Sequence, residues 1–429
     1  MSKATGYIHD IAYPAHFHRE IQPLWLGTMA RFLGSAAPAL SGSYSWCELG
    51  CGVGINLLIA AATDPQVQFV GVDFNEQHLA VARSAAEFIG LSNIRFIRAD
   101  FGSFARDNNL YFDVIVSHGV WSWIDPAQQQ AVLQLVQQFL KPRGLFYLHY
   151  MSHPGASQML SLQKLLLELS RGQQGSSAQK LETGLALLAQ MDEAGAFHDQ
   201  PRLRTGLQTL RQQNLAYLAH DLLAEHWQPQ HSADMHRRVS QAGPVYLGSA
   251  DPFENIDNLS IPGNLQPLLA QQRSMAVRET FKDVARQQHQ RRDLFQRSPA
   301  RLSPAEQVQG MDSIGFCLLP GAAAAGPLSF ETPIGAIEGP SAIFTPLLAA
   351  LNSGPVSFAE LRTLPAFAGQ LGLLSQSLLM LLWAGHVHPV AATSPAATPQ
   401  LQRLVQWIGQ QKLALQLVPE CATAVHVEL

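Results

Sequence analysis

Trp46-Cys47-Glu48-Leu49-Gly50-Cys51-Gly52-Val53-Gly54 decides the fold. Tyr44 to Leu49 is a short, strand-like apolar run, and Ile55 to Ala62 is an apolar run of helical length. The three alternate glycines therefore lie where a strand hands over to a helix. Glycine is needed where a chain turns sharply and comes close to a ligand, because a Cβ would collide. Three of them leave room for a flat molecule over the loop. The next β-rich run, Val67 to Val72, stops at Asp73, nineteen residues beyond Gly54 (73 − 54). A carboxylate there can accept hydrogen bonds from both hydroxyls of a ribose, each contributing roughly 1.5–3 kcal/mol.

A dinucleotide site shares this logic, and three features point elsewhere. The spacing is E-x-G-x-G-x-G rather than G-x-G-x-x-G. Glu48 would repel a diphosphate but suits a cationic methionine end. Ala99-Asp100-Phe101 ends the third strand, where an acid can reach an adenine amino group and an aromatic can stack. The cofactor expected is S-adenosylmethionine. Its expected contacts are Glu48, Gly50, Cys51, Gly52, Gly54, Asp73, Phe74, Asp100, Phe101 and Ser117. A nicotinamide or flavin enzyme, and an α/β domain with no ligand, stay open as alternatives.

Outward from this loop, strand and helix alternate to residue 150. Glu76 to Ile89 reads as a helix capped by Gly90, Ile94 to Ile97 and Tyr111 to Val116 as strands, and Ala127 to Leu140 as an amphipathic helix. The Lys141–Gly144 turn then leads into a fifth strand, Leu145 to Tyr150. Such βα units in series demand a mainly parallel sheet with helices on both faces. Leucine stripes mark residues 156–227 as helical. A helix near Asp234 to Ala242, a strand at Val245 to Leu247, one long helix over about Leu265 to His289 and a strand at Asp293 to Gln296 would complete the sheet with its sixth and seventh strands. The fold class expected is a doubly wound, seven-stranded Rossmann-like α/β sheet with a helical insertion and a C-terminal winged-helix-like α+β domain. The expected divisions are 1–155 for the core, 156–230 for the insertion, 231–300 for the completion of the sheet and 301–429 for the last domain.

Bulk properties agree with a globular chain: 429 residues, 47% apolar, 14% charged, net charge −4. No global basic field draws it to nucleic acid or anionic lipid. From Leu302 to Leu429 three basic residues (Arg362, Arg403, Lys412) face seven acids, the wrong balance for a phosphate-binding surface. The basic run from Arg273 to Arg301 reads as a solvated helix face with Glu279, Asp283 and Asp293 as partners. No signal pattern and no apolar stretch long enough to span a bilayer is seen, so a cytoplasmic protein is expected. Cys47 and Cys51 have metal-like spacing but no second Cys/His pair nearby, and no metal site is expected.

Several further segments resemble one family, the bacterial class I methyltransferases that carry a methyltransferase regulatory domain, among them rickettsial lysine methyltransferases acting on outer-membrane protein. Tyr7-Ile8-His9-Asp10-Ile11-Ala12-Tyr13-Pro14 resembles the family's N-terminal Tyr-Asp-x-x-x-Tyr-Pro. Ser117-His118-Gly119-Val120-Trp121-Ser122-Trp123 resembles its His-Gly-Val-Tyr-Ser-Trp, and Glu225-His226-Trp227-Gln228-Pro229 its Asn-x-His-Trp-Gln-Pro. Val245 to Asp251 is similar to the opening of the regulatory segment. The chain departs from the pattern at Ile21-Gln22-Pro23, where the family has Thr-His-Pro; His16 or His18 would have to stand in.

The acceptor should enter over the glycine loop, beside the ends of the fourth and fifth strands. That nominates Ser117, His118, Trp121, Trp123 and Tyr150, and the resemblance adds Tyr7 and Tyr13 as a lid. Three functions stay open. The first is N-methylation of lysine in a protein substrate, with a homodimer allowed. The second is methylation of a small molecule or saccharide. The third is a non-catalytic, cofactor-binding scaffold.

Overall fold

The computed structural model describes the chain apart from residues 1–5, 9, 12, 39–41, 324–326, 391–397 and 428–429. His9 and Ala12 of the N-terminal motif lie outside the described residues. The alternating apolar runs form one sheet from β1 (Ser45–Leu49), β2 (Gln68–Asp73), β3 (Ile94–Arg98), β4 (Phe112–Ser117), β5 (Leu140–Met151), β6 (Pro244–Ser249) and β7 (Gln290–Arg297). The order across it is β3-β2-β1-β4-β5-β7-β6. β1 to β5 run parallel. β7 slots antiparallel between β5 and β6. Because β4 returns to the other side of β1, the sheet has a topological switch there, where open α/β sheets bind ligands beyond their strand ends.

Side chains alternate across each strand, and the two faces bury different layers. Trp46, Val114, Val116 and Tyr147 join α1 (Pro23–Phe32), α2 (Ile55–Thr63) and α3 (Glu76–Ile89) on one face. Cys47, Ile115, Phe146, Leu148 and Tyr150 join α4 (Phe101–Asp107) and α5 (Pro126–Phe139) on the other. Lys141–Gly144, expected as a turn, is instead the irregular start of β5, with Arg143 at φ 64°.

Four helices follow β5: α6 (Leu160–Arg171), α7 (Ser177–Glu193), α8 (Pro201–Leu210) and α9 (Leu215–Leu222). Their leucine stripes close on each other, and Ile8 and Ile11 pack against that cluster. The N-terminal segment is thereby strapped to the block. Ser177 donates both its N–H and its hydroxyl to Asp10, each at 2.7 Å, and Glu225 N–H bonds to Gly6 O at 2.9 Å.

Beyond α10 (Ser232–Gln241) and the short α11 (Asp257–Ser260), the expected single long helix is two: α12 (Gln266–Ala270) and α13 (Met275–Arg286). The Arg278 guanidinium bonds to the carbonyls of Leu269 and Gln272, at the end of α12 and just beyond it. The basic run is not a solvated face throughout. Arg291 is buried and ion-paired to Glu279, Asp283 and Asp293, so its expected partners are present but in the interior.

The C-terminal part contains α14 (Pro304–Asp312), β8 (Gly315–Leu318), the hairpin β9 (Leu328–Thr332) and β10 (Gly335–Gly339), α15 (Ser341–Asn352), β11 (Val356–Ser357), α16 (Phe358–Leu361), α17 (Leu371–Trp383) and β12 (Val387–Val390). β11, β8 and β12 form a small antiparallel sheet. The last elements leave it. α18 (Pro399–Gln410) packs Leu401, Leu404, Trp407 and Ile408 into one apolar cluster with residues of α2 and α3. The hairpin β13 (Leu415–Val418) and β14 (Thr423–His426) follows it, and Ala424 joins that cluster. Among the described residues, no helix is long and apolar enough to cross a membrane.

Candidate active site

The loop after β1 needs its glycines for three different reasons. Gly50, Gly52 and Gly54 all have positive φ, at 77°, 53° and 73°. A Cβ at Gly50 would meet Val120 at 2.3 Å and one at Gly54 would meet Phe96 at 2.7 Å. A Cβ at Gly52 would meet nothing within 4 Å, so Gly52 is the bare floor of a cavity. The loop is fastened to β2: Gly50 and Cys51 N–H donate to Val72 O, and Gly52 N–H donates to Asp73 Oδ2 at 2.9 Å. Asn75 N–H holds the other Asp73 oxygen at 2.8 Å.

That cavity has a volume of about 800 Å³ and is lined by Glu48, Gly50, Cys51, Gly52, Asp73, Phe74, Asp100 and Phe101. These are the residues expected there, apart from Gly54 and Ser117. The cavity matches an adenosyl cofactor: an open glycine cradle, and acids at the ends of β1, β2 and β3. Burial, reinforced by Asp73, pushes the Glu48 carboxyl up to about 8. Burial also raises Asp73, against the hydrogen bond from Asn75 N–H. Asp100 caps α4 through Ser103, whose backbone N–H lowers its pKa.

A second cavity of about 540 Å³ adjoins the first. Tyr7, Tyr13, His16, His18, His118, Gly119 and Trp123 line both. Its own walls include Glu20, His149, Tyr217, His220, Asp221, Arg292 and, from β14, His426. Its imidazoles form a column. Ring centroids are 5.0 Å apart for His426–His16, 4.5 Å for His16–His18, 3.9 Å for His18–His118 and 4.4 Å for His118–His149. Tyr147 Oη lies 2.9 Å from His118 Nδ1, and Gly119 N–H donates to His149 Nδ1. Burial lowers three of these rings: His149 falls to about 3, His16 to about 4, and His118 well below the usual range.

On the opposite wall, Asp221 of α9 is recessed. The indole N–H groups of Trp123 and Trp227 both donate to its Oδ1, at 3.0 and 3.1 Å. Burial raises its carboxyl, against those two bonds. Tyr13 lies between Tyr217 and His220, at centroid distances of 6.0 and 5.3 Å. Tyr7 is 5.3 Å from His220 and 5.5 Å from Phe74. The strap therefore carries Tyr7 and Tyr13 over both cavities, where the lid was expected.

Besides Gly54, three expected residues line neither cavity. Tyr150 is fully buried on the other face of β5, donating to Asp293 at 2.5 Å. Strand parity gives the cavity His149 instead. Trp121 is buried in the same layer, with Arg238 over its ring at 4.9 Å. Residues 121–123 form a 3₁₀ turn with about three residues per turn, so Trp121 and Trp123 point apart. Ser117 is buried and lines neither cavity. Gln22 is also buried, donating to Asn56 O at 3.3 Å, whereas His16 and His18 are in the cavity wall. Asp221, Tyr217, His149 and Glu20 carry no motif that would have singled them out. The pair His16 and His18 was a usable signal, because residues two apart on an extended chain share a face; Glu20 follows in a 3₁₀ turn, Arg19–Ile21, and alternation does not place it.

Comparison with known proteins agrees with this geometry. A family model described as a methyltransferase domain matches residues 40–199, and one described as a predicted methyltransferase regulatory domain matches residues 214–297. An uncharacterized protein of Synechocystis is 30% identical over 392 residues, which is 91% of this chain and 77% of that one. An uncharacterized protein of Rickettsia prowazekii is 27% identical over 169 residues, covering 39% of this chain and 67% of its own. Among solved structures, PKMT2 from Rickettsia typhi in complex with AdoHcy has a TM-score of 0.75 at 18% identity, over 97% of this chain and 86% of that one.

Proposed function

The chain belongs to the methyltransferases that carry the predicted regulatory domain, S-adenosylmethionine-dependent enzymes, and we propose that its acceptor is the side-chain amine of lysine in a protein substrate. One observation carries the acceptor: the Asp221 carboxylate is recessed among Tyr13, Tyr217 and Trp123 in a cavity that shares a wall with the glycine-loop cavity. A carboxylate at the end of an aromatic-lined space suits an alkylammonium. Each aromatic face adds about 0.5–2 kcal/mol of cation–π attraction. The two indoles both bond to Oδ1, so Oδ2 keeps its capacity to accept from an ammonium.

When bound, the cofactor supplies an electrophilic methyl group on a sulfonium. Gly52 gives it room, Asp73 and Asp100 offer acceptors to its ribose and adenine, and Glu48 offers a negative charge to its cationic end. The chain's remaining task is approach and protonation state. Tyr7 and Tyr13 cover the junction of the two cavities and exclude water from it, and His118 borders it. Asp221 and the aromatic faces favour the incoming ammonium while desolvation disfavours it, and its proton passes to Asp221, whose carboxyl burial raises, or to water before the neutral nitrogen attacks. Orientation across the shared wall then converts an encounter into a held approach. His118→Ala should lower turnover while sparing cofactor affinity; full turnover in that variant removes His118 from the mechanism.

The size of the acceptor cavity favours a second reading, because about 540 Å³ is also an ordinary small-ligand volume. Incubation with methyl-labelled cofactor and native lysate separates the two. The lysine reading expects label in protein, released by acid hydrolysis as methyl-lysine. Label confined to small molecules overturns it.

A further inference from the structure

Beside the acceptor cavity, His18, Glu20 and His118 bring one ligating atom each to within 4.8 Å of one another. We propose that these three residues form a binding site for a first-row divalent transition-metal ion, opening onto the acceptor cavity. The sequence carries no metal motif here, because His18 and Glu20 lie about a hundred residues from His118 (118 − 18).

The chemistry of the donor set selects the ion. Two imidazoles and one carboxylate suit zinc, cobalt, nickel or iron, whereas magnesium and calcium take oxygen shells. At metal–ligand bonds of about 2.0–2.2 Å, the three atoms would have to draw together by roughly an ångström, which is within reach of side-chain rotation. A second feature is independent of their spacing. Tyr147 Oη sits 2.9 Å from His118 Nδ1, which fixes the ring and leaves Nε2 as the outward nitrogen. Ligating histidines are commonly oriented in this way by a partner on the other ring nitrogen. Neither imidazole has a closer acidic partner among the described residues, since His18 Nδ1 lies 3.7 Å from Glu20. His16 and His149 flank the pair and could add a fourth nitrogen.

Arg292 sets the affinity. It is ion-paired to Glu20 through Oε1 at 3.1 Å, and its cation repels a second one. Asp251, at 3.2 Å from the same guanidinium, offsets part of that charge. The oxygen nearest His18 is the same Oε1, at 3.7 Å, so the ion either shares it with Arg292 or takes Oε2 after the carboxylate rotates. Binding should therefore be weaker than at the same three ligands without that cation. Three protein ligands leave coordination positions open toward the cavity, where an oxygen of an incoming acceptor or a water can enter.

This proposal is independent of the lysine reading, because metal uptake is measured without methyl transfer. The full-length chain, stripped with chelator and desalted, is titrated with Co2+ while its visible ligand-field bands are followed, and with Zn2+ by calorimetry. One equivalent is expected to saturate. His18→Ala and Glu20→Gln should each weaken binding at least tenfold, and Glu20→Gln, whose residue lines only the acceptor cavity, should keep the affinity for S-adenosylhomocysteine. His198→Ala, beside the exposed Asp199, should change nothing. In the wild-type chain, the electron spin-echo modulation of one bound Cu2+ should report two imidazoles. Absence of saturable binding, equal affinity in the His18 variant, or a spectrum with no imidazole overturns the proposal.

Discussion

Glu48 is an acid that the fold keeps protonated. Its carboxyl rises from an ordinary 4.5 to about 8 because it is buried beside Asp73. Between those values the unfolded chain has released a proton that the folded chain retains, so this group makes stability fall as pH rises through that window. Glu48→Gln should therefore raise the melting temperature at pH 7–8 by a few degrees, with the gain fading toward pH 4. The same variant should lose cofactor affinity. Binding of a cationic ligand beside Glu48 favours the ionised form, so calorimetry of S-adenosylmethionine at pH 7 in two buffers of different ionisation enthalpy should show proton release. Equal heats in both buffers would remove Glu48 from the cationic end. At this scale the sequence was readable wherever the backbone itself is constrained. Gly50, Gly52, Gly54 and Asp73 are tied to the course of the chain, and each could be placed from spacing. Tyr150 and Trp121 could not, because a single step along a strand or a 3₁₀ turn exchanges one face for the other. His149 took the place expected of Tyr150 for that reason alone, while Trp123, expected beside Trp121, does line the cavity.

Among the elements, β7 carries the most consequential burial. Arg291 lies in the interior with Glu279, Asp283 and Asp293, while Tyr150 and His236 bond to Asp293. Despite burial, the Arg291 cation holds Glu279 down at about 2. Arg291→Met would leave buried carboxylates without their counter-ion. It should destabilise the chain by about 3–5 kcal/mol, read as a lower denaturant midpoint. A loss under 1 kcal/mol would mean that water reaches the cluster. The N-terminal strap makes a smaller claim. Asp10 takes both donors of Ser177 at the start of α7, so Asp10→Ala should cost roughly 1 kcal/mol. It should also raise the acceptor KM more than it changes cofactor affinity, since Tyr7 and Tyr13 ride on the strap. Leucine spacing marked the insertion as helical, through one stripe over 160–169 and another over 203–218; it did not mark α7, and its second stripe runs across the break between α8 and α9. It did not find the break between α12 and α13. Across that break Arg278 reaches back to two carbonyls, an interaction between neighbours that no pattern of apolar residues records.

Across the whole molecule, the two cavities draw on sequence-distant parts. The cofactor cavity comes almost entirely from residues 48–128 and the N-terminal strap, whereas the acceptor cavity adds α9 of the insertion, β7 and the C-terminal hairpin. That difference explains what the sequence could say. A site built within one βα series leaves a motif; one assembled by Asp221, Arg292 and His426 from separate segments does not. It also predicts separable effects. Val425→Trp on β14 should narrow the acceptor cavity and raise the acceptor KM several-fold, with the affinity for S-adenosylhomocysteine unchanged. A parallel loss of both would mean that the hairpin supports the core rather than the acceptor wall. The most direct test of the account is to label protein with wild type and with Asp221→Asn, using methyl-labelled cofactor, and to quantify methyl-lysine after acid hydrolysis. The account predicts methyl-lysine from the wild type and at least tenfold less from a variant that still binds S-adenosylhomocysteine. Equal methyl-lysine from both enzymes, or label carried on a residue other than lysine, would contradict it.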